Sequence, residues 1–243
     1  MTGGLYGTRR LVRASEREVR KALGRYGRVS VFGDRGVALL GWLAHNWPAL
    51  ERIPGATALV SAVTHASREK LELIPDLYSI LKGVPGERIV GFAYFKSRHG
   101  RPTTNVDPGR DGAGLTWMAV VCPLDGRHTG DLVELSQAVF ERHGLDFSIT
   151  FIMVNARSTL GLIEIFYDRD DDSERARMQA TYDELAQATL AAGYQQYRTS
   201  VWYGAHVLDG SPGLKGLLDS LKAAVDPDGV LAPGRYSIGL PRS

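Results

Sequence analysis

Between residues 115 and 202 the chain alternates apolar runs of strand length with longer stretches of helical period, and this order constrains the fold more than any other feature. Strands are expected at Leu115 to Pro123, Asp146 to Asn155 and Leu160 to Asp168, with a last extended piece at Gln195 to Trp202. Helices are expected at Gly130 to His143 and at Ser173 to Ala192, the second capped by Ser173. The resulting β-α-β-β-α-β order is the split βαβ, or ferredoxin-like, pattern, in which helices cover one face of an antiparallel sheet. The expected fold class is α+β.

The flanks read differently. Thr8 to Tyr26 carries apolar residues at Leu11, Val12, Val19, Ala22 and Leu23, which predicts an amphipathic helix opened by Thr8. Arg28 to Phe32 alternates and predicts a strand ending at Gly33; Asp34 then caps a helix running through Trp47, closed by Pro48. Thr64 to Lys82 predicts a helical stretch interrupted at Pro75, and Val84 to Lys96 is apolar without a clear period. Ser97 to Gly114, rich in Gly, Pro, Asn, Asp and Arg, reads as a long loop and a subdomain boundary. Past a helix at Leu214 to Ala223 the tail is a chain of turn signals.

At 243 residues, 44% hydrophobic and 23% charged, the chain has the composition of a folded globular protein. Its 29 basic and 27 acidic residues nearly balance, and the one dense basic stretch, Arg9 to Arg28, is interleaved with Glu16 and Glu18 as on a solvated helix face. No nucleic-acid partner is expected. No apolar run reaches the ~18 residues that span a bilayer, and the first residues lack the basic and apolar regions of a signal peptide. The lone Cys122 offers no internal disulfide. A reduced, cytoplasmic location is therefore expected.

Several chemistries lack their signatures. No G-x-G-x-x-G follows a strand, and neither a phosphate-cradling G-x-x-x-x-G-K-[ST] nor a G-x-S-x-G occurs. The six histidines have no ligand spacing, so no metal site is expected. Cys122 ends an apolar strand, where a buried, inert thiol is the simpler reading. The acids Asp168, Asp170, Asp171 and Asp172 fall between a strand and a helix, where acidic side chains favour the N-terminal dipole.

The tail Leu221-Lys-Ala-Ala-Val-Asp-Pro-Asp-Gly-Val-Leu-Ala-Pro-Gly-Arg235 resembles the C-terminal signature of FAD-linked oxidases. The resemblance extends through Gly193-Tyr-Gln-Gln-Tyr-Arg-Thr199, Gly144-Leu-Asp-Phe147, Asp107-Pro-Gly-Arg-Asp-Gly-Ala-Gly-Leu-Thr-Trp117 and Leu5-Tyr-Gly-Thr8, all in the family's order. It is nearest to the vanillyl-alcohol oxidase and 4-cresol dehydrogenase branch, which oxidises para-substituted phenols. The resemblance implies one substrate, or cap, domain over residues 1–243: a helical part at 1–100, the ferredoxin-like core at 115–202, and a C-terminal helix with a flavin-facing tail at 203–243. It further implies that the FAD-binding domain is absent from this chain and resides on a separate subunit.

By the same resemblance, Tyr197 and Arg198 fall where the family surrounds the substrate oxygen, which makes them the catalytic and substrate-binding candidates. A phenol titrates near 10, and a permanent guanidinium charge with a phenolic donor would stabilise its phenolate. Adjacent residues on a regular strand nonetheless point to opposite faces, so the two share a pocket only where the strand is irregular. Trp117 and Trp202 are further substrate-binding candidates, and Pro233, Gly234 and Arg235 are the cofactor-facing ones. Thr159 and Leu160 stand where relatives place a flavin-tethering histidine, so FAD is expected to be non-covalent with respect to this chain. The function implied is that of a substrate-binding subunit in a two-chain FAD-dependent oxidoreductase. The alternatives are a non-catalytic module for small aromatic ligands, or a remnant that self-associates.

Overall fold

The computed structural model describes residues 3–84, 86–199, 204, 207–208 and 210–239, with the side chains of 88 and 89 left aside. The chain forms two compact units, Met1–Val90 and Gly91–Ser243.

The first unit is helical. Helix α1 (Arg9–Leu23) is capped by the Thr8 side chain, which accepts from the Leu11 amide, and it buries none of its residues. Residues 28–33, expected to hold a strand, are irregular: among the described residues no strand pairs with them to offer the ladder that a short alternating run needs. Helix α2 (Asp34–His45) starts with Asp34 inside its first turn, not as its cap. Pro48 does not close it but sits in the first turn of α3 (Trp47–Leu50), where a missing N–H costs nothing. Helix α4 (Ala56–Thr64) was not expected from the sequence, and α5 (Arg68–Leu81) runs through Pro75 without a break. The reason lies in packing: Val37, Leu40 and Ala44 recur along α2, and Leu40 and Ala44 join Trp47 and the fully buried Leu71 in one cluster. Gly41 permits the approach, because a Cβ there would lie 3.2 Å from the Pro75 ring. The short helix α6 (Glu87–Val90) ends the unit.

The second unit is built on an antiparallel sheet of β1 (Ala113–Pro123), β2 (Ile149–Met153), β3 (Ser158–Asp168) and β4 (Gln195–Arg198), in the order β2-β3-β1-β4. Helices α7 (Gly126–His143) and α8 (Asp172–Ala191) supply the crossovers, giving the expected α+β, ferredoxin-like arrangement. Helix α7 begins four residues ahead of the expected start because Asp125 caps it, accepting from the Arg127 amide at 2.7 Å; Gly144, left-handed at φ 63°, ends it. Asp171, not Ser173, caps α8 and accepts from the amides of Ser173 and Glu174. Part of the acidic run is thus spent on a helix start, and another part, Asp168, is paired with Arg98.

Alternation divides the sheet. Met118, Val120 and Cys122 of β1 and Ile163 and Ile165 of β3 turn to the helices and pack on Leu132, Val139 and Phe140 of α7 and on Tyr182 and Leu185 of α8. Each such fully buried side chain contributes roughly 1.5–3 kcal/mol relative to exposure. Gly161 faces the same layer, and a Cβ there would come within 2.8 Å of Leu132, so the residue sets how closely α7 approaches. Cys122 is free and buried, and burial raises its thiol pKa. Helix α9 (Pro212–Val225) and a 3₁₀ turn, Arg235–Ser237, follow. No described helix is long and apolar enough to cross a membrane.

Candidate functional site

The face of the sheet that α7 and α8 leave open carries the alternate residues of the same strands. On β1 these are Leu115, Trp117, Ala119 and Val121; on β3 they are Leu160, Leu162, Glu164 and Phe166, in direct register as Trp117↔Glu164 and Ala119↔Leu162. Trp117 is 58% exposed beside the fully buried Met118. The face is therefore largely apolar, with Glu164 in mid-strand and Asp168, paired with Arg98, at the end of β3. Phe95 leans on Phe166 with ring centroids 5.2 Å apart, and Lys96 pairs with Asp146 at 2.5 Å, so the start of the long loop is fastened to this unit. The loop's other end is fixed by Tyr94, whose hydroxyl donates to Asp111 at 2.7 Å. Burial and this bond push Tyr94 up to about 12, and the Tyr94 hydroxyl together with the Asp107 amide holds Asp111 down at about 2.

Tyr197 and Arg198 reach this face through an irregularity. Gln195 pairs with Val121 and Gln196 with Val120, but Arg198 pairs with Ala119, so the register slips by one residue and Tyr197 is the extra one. Gln196, opposite a covered residue, accepts from the Tyr182 hydroxyl of α8 at 3.3 Å. Arg198, opposite Ala119, shares the open face with Trp117. The slip also removes the strict alternation that would separate neighbours, and the Arg198 guanidinium carbon stands 5.4 Å from the Tyr197 ring centroid. Both side chains are exposed.

The tail is folded back on α9 by one buried acid. Asp226 accepts from the amides of Val230 and Leu231, both at 2.9 Å, and from Lys222, which also donates to the Leu231 carbonyl. Lys222 lowers the Asp226 carboxyl pKa most, with the two amides adding to it. Beyond this knot Gly234 is left-handed at φ 71° and turns the chain so that Arg235 lies over Tyr236, 5.1 Å from guanidinium carbon to ring centroid. Arg235 first, and then Thr199, lower the Tyr236 phenol pKa.

Trp117, Tyr197 and Arg198 thus share one face, while Arg235 lies on the tail over Tyr236. Pro233 and Gly234 shape the turn that carries Arg235. Trp202 lies outside the described residues. Thr159 is buried and its hydroxyl donates to the Ile152 carbonyl at 3.0 Å, whereas Leu160 is on the open face. Four residues were not singled out from the sequence. Glu164 was legible, being a charge in mid-strand among the outward-facing Leu160, Leu162 and Phe166. Tyr236 and the Lys222–Asp226 pair were not, since only the folding back of the tail gives them a role.

The described fold is an α+β sheet with helices on one face, followed by a C-terminal helix and a turn bearing Arg235. No known family profile matches the chain. The chain is 30% identical over 154 residues to 1'-carboxy-chondrochloren decarboxylase of Chondromyces crocatus, covering 63% of this chain and 28% of that protein. It is 33% identical over 132 residues to the 4-cresol dehydrogenase [hydroxylating] flavoprotein subunit of Pseudomonas putida, covering 54% of this chain and 25% of that protein. In fold, 96% of the chain superposes on p-cresol methylhydroxylase solved with substrate bound (TM-score 0.65, 24% identity, 37% of that chain). The same share superposes on 4-ethylphenol oxidase from Gulosibacter chungangensis in an isoeugenol complex (TM-score 0.66, 20% identity, 38% of that chain). The chain resembles part of the vanillyl-alcohol oxidase and 4-cresol dehydrogenase type of FAD-linked oxidases, and spans under a third of the length of these curated relatives.

Proposed function

We propose that this chain is the substrate-binding part of an FAD-dependent oxidoreductase acting on a phenolic or similarly activated small molecule, with the flavin-binding domain on a separate chain. The observation that carries the reading is the register slip in β4, which brings Tyr197 and Arg198 onto the same open face as Trp117. Arg198 would hold the substrate oxygen as phenolate, since a guanidinium stays charged at any working pH and donates in a fixed fork. The Tyr197 hydroxyl would donate to the same oxygen, and Trp117 would pack on the ring. Negative charge on that oxygen favours departure of hydride from the side-chain carbon attached at the para position, leaving a quinone methide. Bound FAD supplies the two-electron acceptor.

Pro233, Gly234 and Arg235 would face the flavin, where an exposed guanidinium suits its carbonyl oxygens. FAD would be non-covalent with respect to this chain. The partner surface would include the tail and the exposed apolar side of α9, where Leu214, Leu217, Leu221 and Val225 recur at helical spacing. Stable association needs more than ~1,000 Å² of buried surface. A free, buried Cys122 suits a cytoplasmic setting.

The test is to co-express the chain with an FAD-binding chain that lacks a cap, co-purify both through a tag on this one, and record the visible spectrum. A stoichiometric, non-covalent flavin that bleaches on anaerobic addition of para-substituted phenols is expected. A colourless protein that binds phenols without flavin overturns the reading in favour of a binding module.

A further inference from the structure

Apart from the Arg98–Asp168 pair at the end of β3, the open face carries charge at Arg198 and Glu164, and the phenol reading uses only the first. Arg198 lies at the β4 edge; Glu164 lies on β3, directly opposite Trp117. Two strand spacings of ~4.8 Å across and two residues of ~3.4 Å along separate their Cα atoms by roughly 12 Å. Among the described residues neither side chain takes part in a salt bridge, and the surface between them is Trp117, Ala119 and Leu162.

Glu164 is also fixed in place. The Ser148 hydroxyl donates to one carboxylate oxygen at 2.5 Å and the Thr150 hydroxyl to the other at 3.2 Å. Thr150 stands on β2 and Ser148 just before it, so the carboxylate is gripped from its outer side while the side toward Trp117 keeps accepting capacity. A carboxylate accepts up to about four hydrogen bonds, and two are used. An acid on a purely structural strand gains nothing from standing among half-buried Leu160, Leu162 and Phe166; one that meets a cation or donor of a ligand does.

We infer that Glu164 selects ligands by their para substituent, favouring phenols whose side arm ends in an ammonium group or another strong hydrogen-bond donor. The inference rests on the phenol-binding reading above. A ligand whose oxygen meets Arg198 and Tyr197 and whose ring lies over Trp117 extends its para arm toward Glu164. A neutral alkyl arm leaves the acid to water, and a carboxylate arm meets like charge. The preferred ligand is therefore cationic at one end and phenolic at the other.

The probes are tyramine, para-ethylphenol and para-hydroxyphenylpropanoate, titrated calorimetrically into the full chain, alone and with its FAD-binding chain. Tyramine is expected to bind about three- to tenfold more tightly than para-ethylphenol and the carboxylate more weakly, the size of a partly exposed ion pair. In Glu164→Gln the ratio of tyramine to para-ethylphenol affinity falls toward one, and in Glu164→Lys the order of tyramine and the carboxylate reverses. Melting curves of both variants show that they remain folded. If para-ethylphenol binds and depends on Arg198 while the three probes bind alike, this inference is overturned and the phenol reading stands. If no probe binds in an Arg198-dependent way, both fall.

Discussion

The two faces of the four-stranded sheet are made from the same strands and answer to different demands. On β1, Met118 and Val120 are fully buried under α7 and α8, while Trp117, their neighbour on the same strand, is more than half exposed. The covered face is filled by interchangeable aliphatic bulk, where shape and volume decide stability. The open face carries a tryptophan, an arginine, a tyrosine and a hydroxyl-gripped glutamate, which add little to a core and much to recognition. A strand can serve both ends because its side chains alternate, and substitutions on the two sides should separate stability from binding.

The largest effect is expected on the covered side. Phe140→Ala removes a fully buried ring and should cost about 3–5 kcal/mol of unfolding free energy, read by denaturant melts. If the loss were under ~1 kcal/mol, the helices would not be packed on the sheet as described. On the open side, Arg198→Gln should leave unfolding within ~0.5 kcal/mol of the parent and weaken para-ethylphenol binding roughly tenfold or more, the scale of a charged hydrogen bond. A variant equally weakened in folding would break the contrast. Trp117→Ala should weaken the same binding by about three- to tenfold through lost ring packing, again with little change in melting. Arg235→Glu should weaken association with the FAD-binding chain, measured by sedimentation; unchanged association would remove the tail from the partner surface.

The smallest effect is a pH dependence at the loop end. Asp111 is held at about 2, below its ordinary value, so its stabilising bonds are fully present above the unfolded carboxyl range and fade as pH falls through that value. The expected outcome is an acid-side loss of melting temperature between roughly pH 4 and 2 that shrinks in Asp111→Asn. A variant that keeps the full loss would assign it to other carboxylates.

Much of the second unit was legible before folding was known. Period alone marked the strands and helices of residues 115–198, because β1, β3, α7 and α8 each bury one face and must repeat apolar residues at the matching interval. The first unit was less legible. Pro75 looked like a break and residues 28–32 looked like a strand, since local preference was read without knowing that α2 packs along α5 and that no strand pairs with 28–32. The cap of α8 moved by two residues because several acids and a serine compete at that start, and only the backbone geometry chooses Asp171.

The sequence by itself determined the α+β order, the covered face of the sheet, the buried state expected of Cys122 and the resemblance to FAD-linked oxidases, all properties of pattern along the chain. Tertiary structure decided the arrangement of the candidate site. Tyr197 and Arg198 share a face because pairing with β1 slips by one residue, and Glu164 meets two hydroxyls because β2 lies beside β3. The tail turns back on α9 because Asp226 holds Lys222 and the amides of Val230 and Leu231. Each depends on which segments become neighbours, and that is set by the summed burial of many side chains, which no local window of sequence contains.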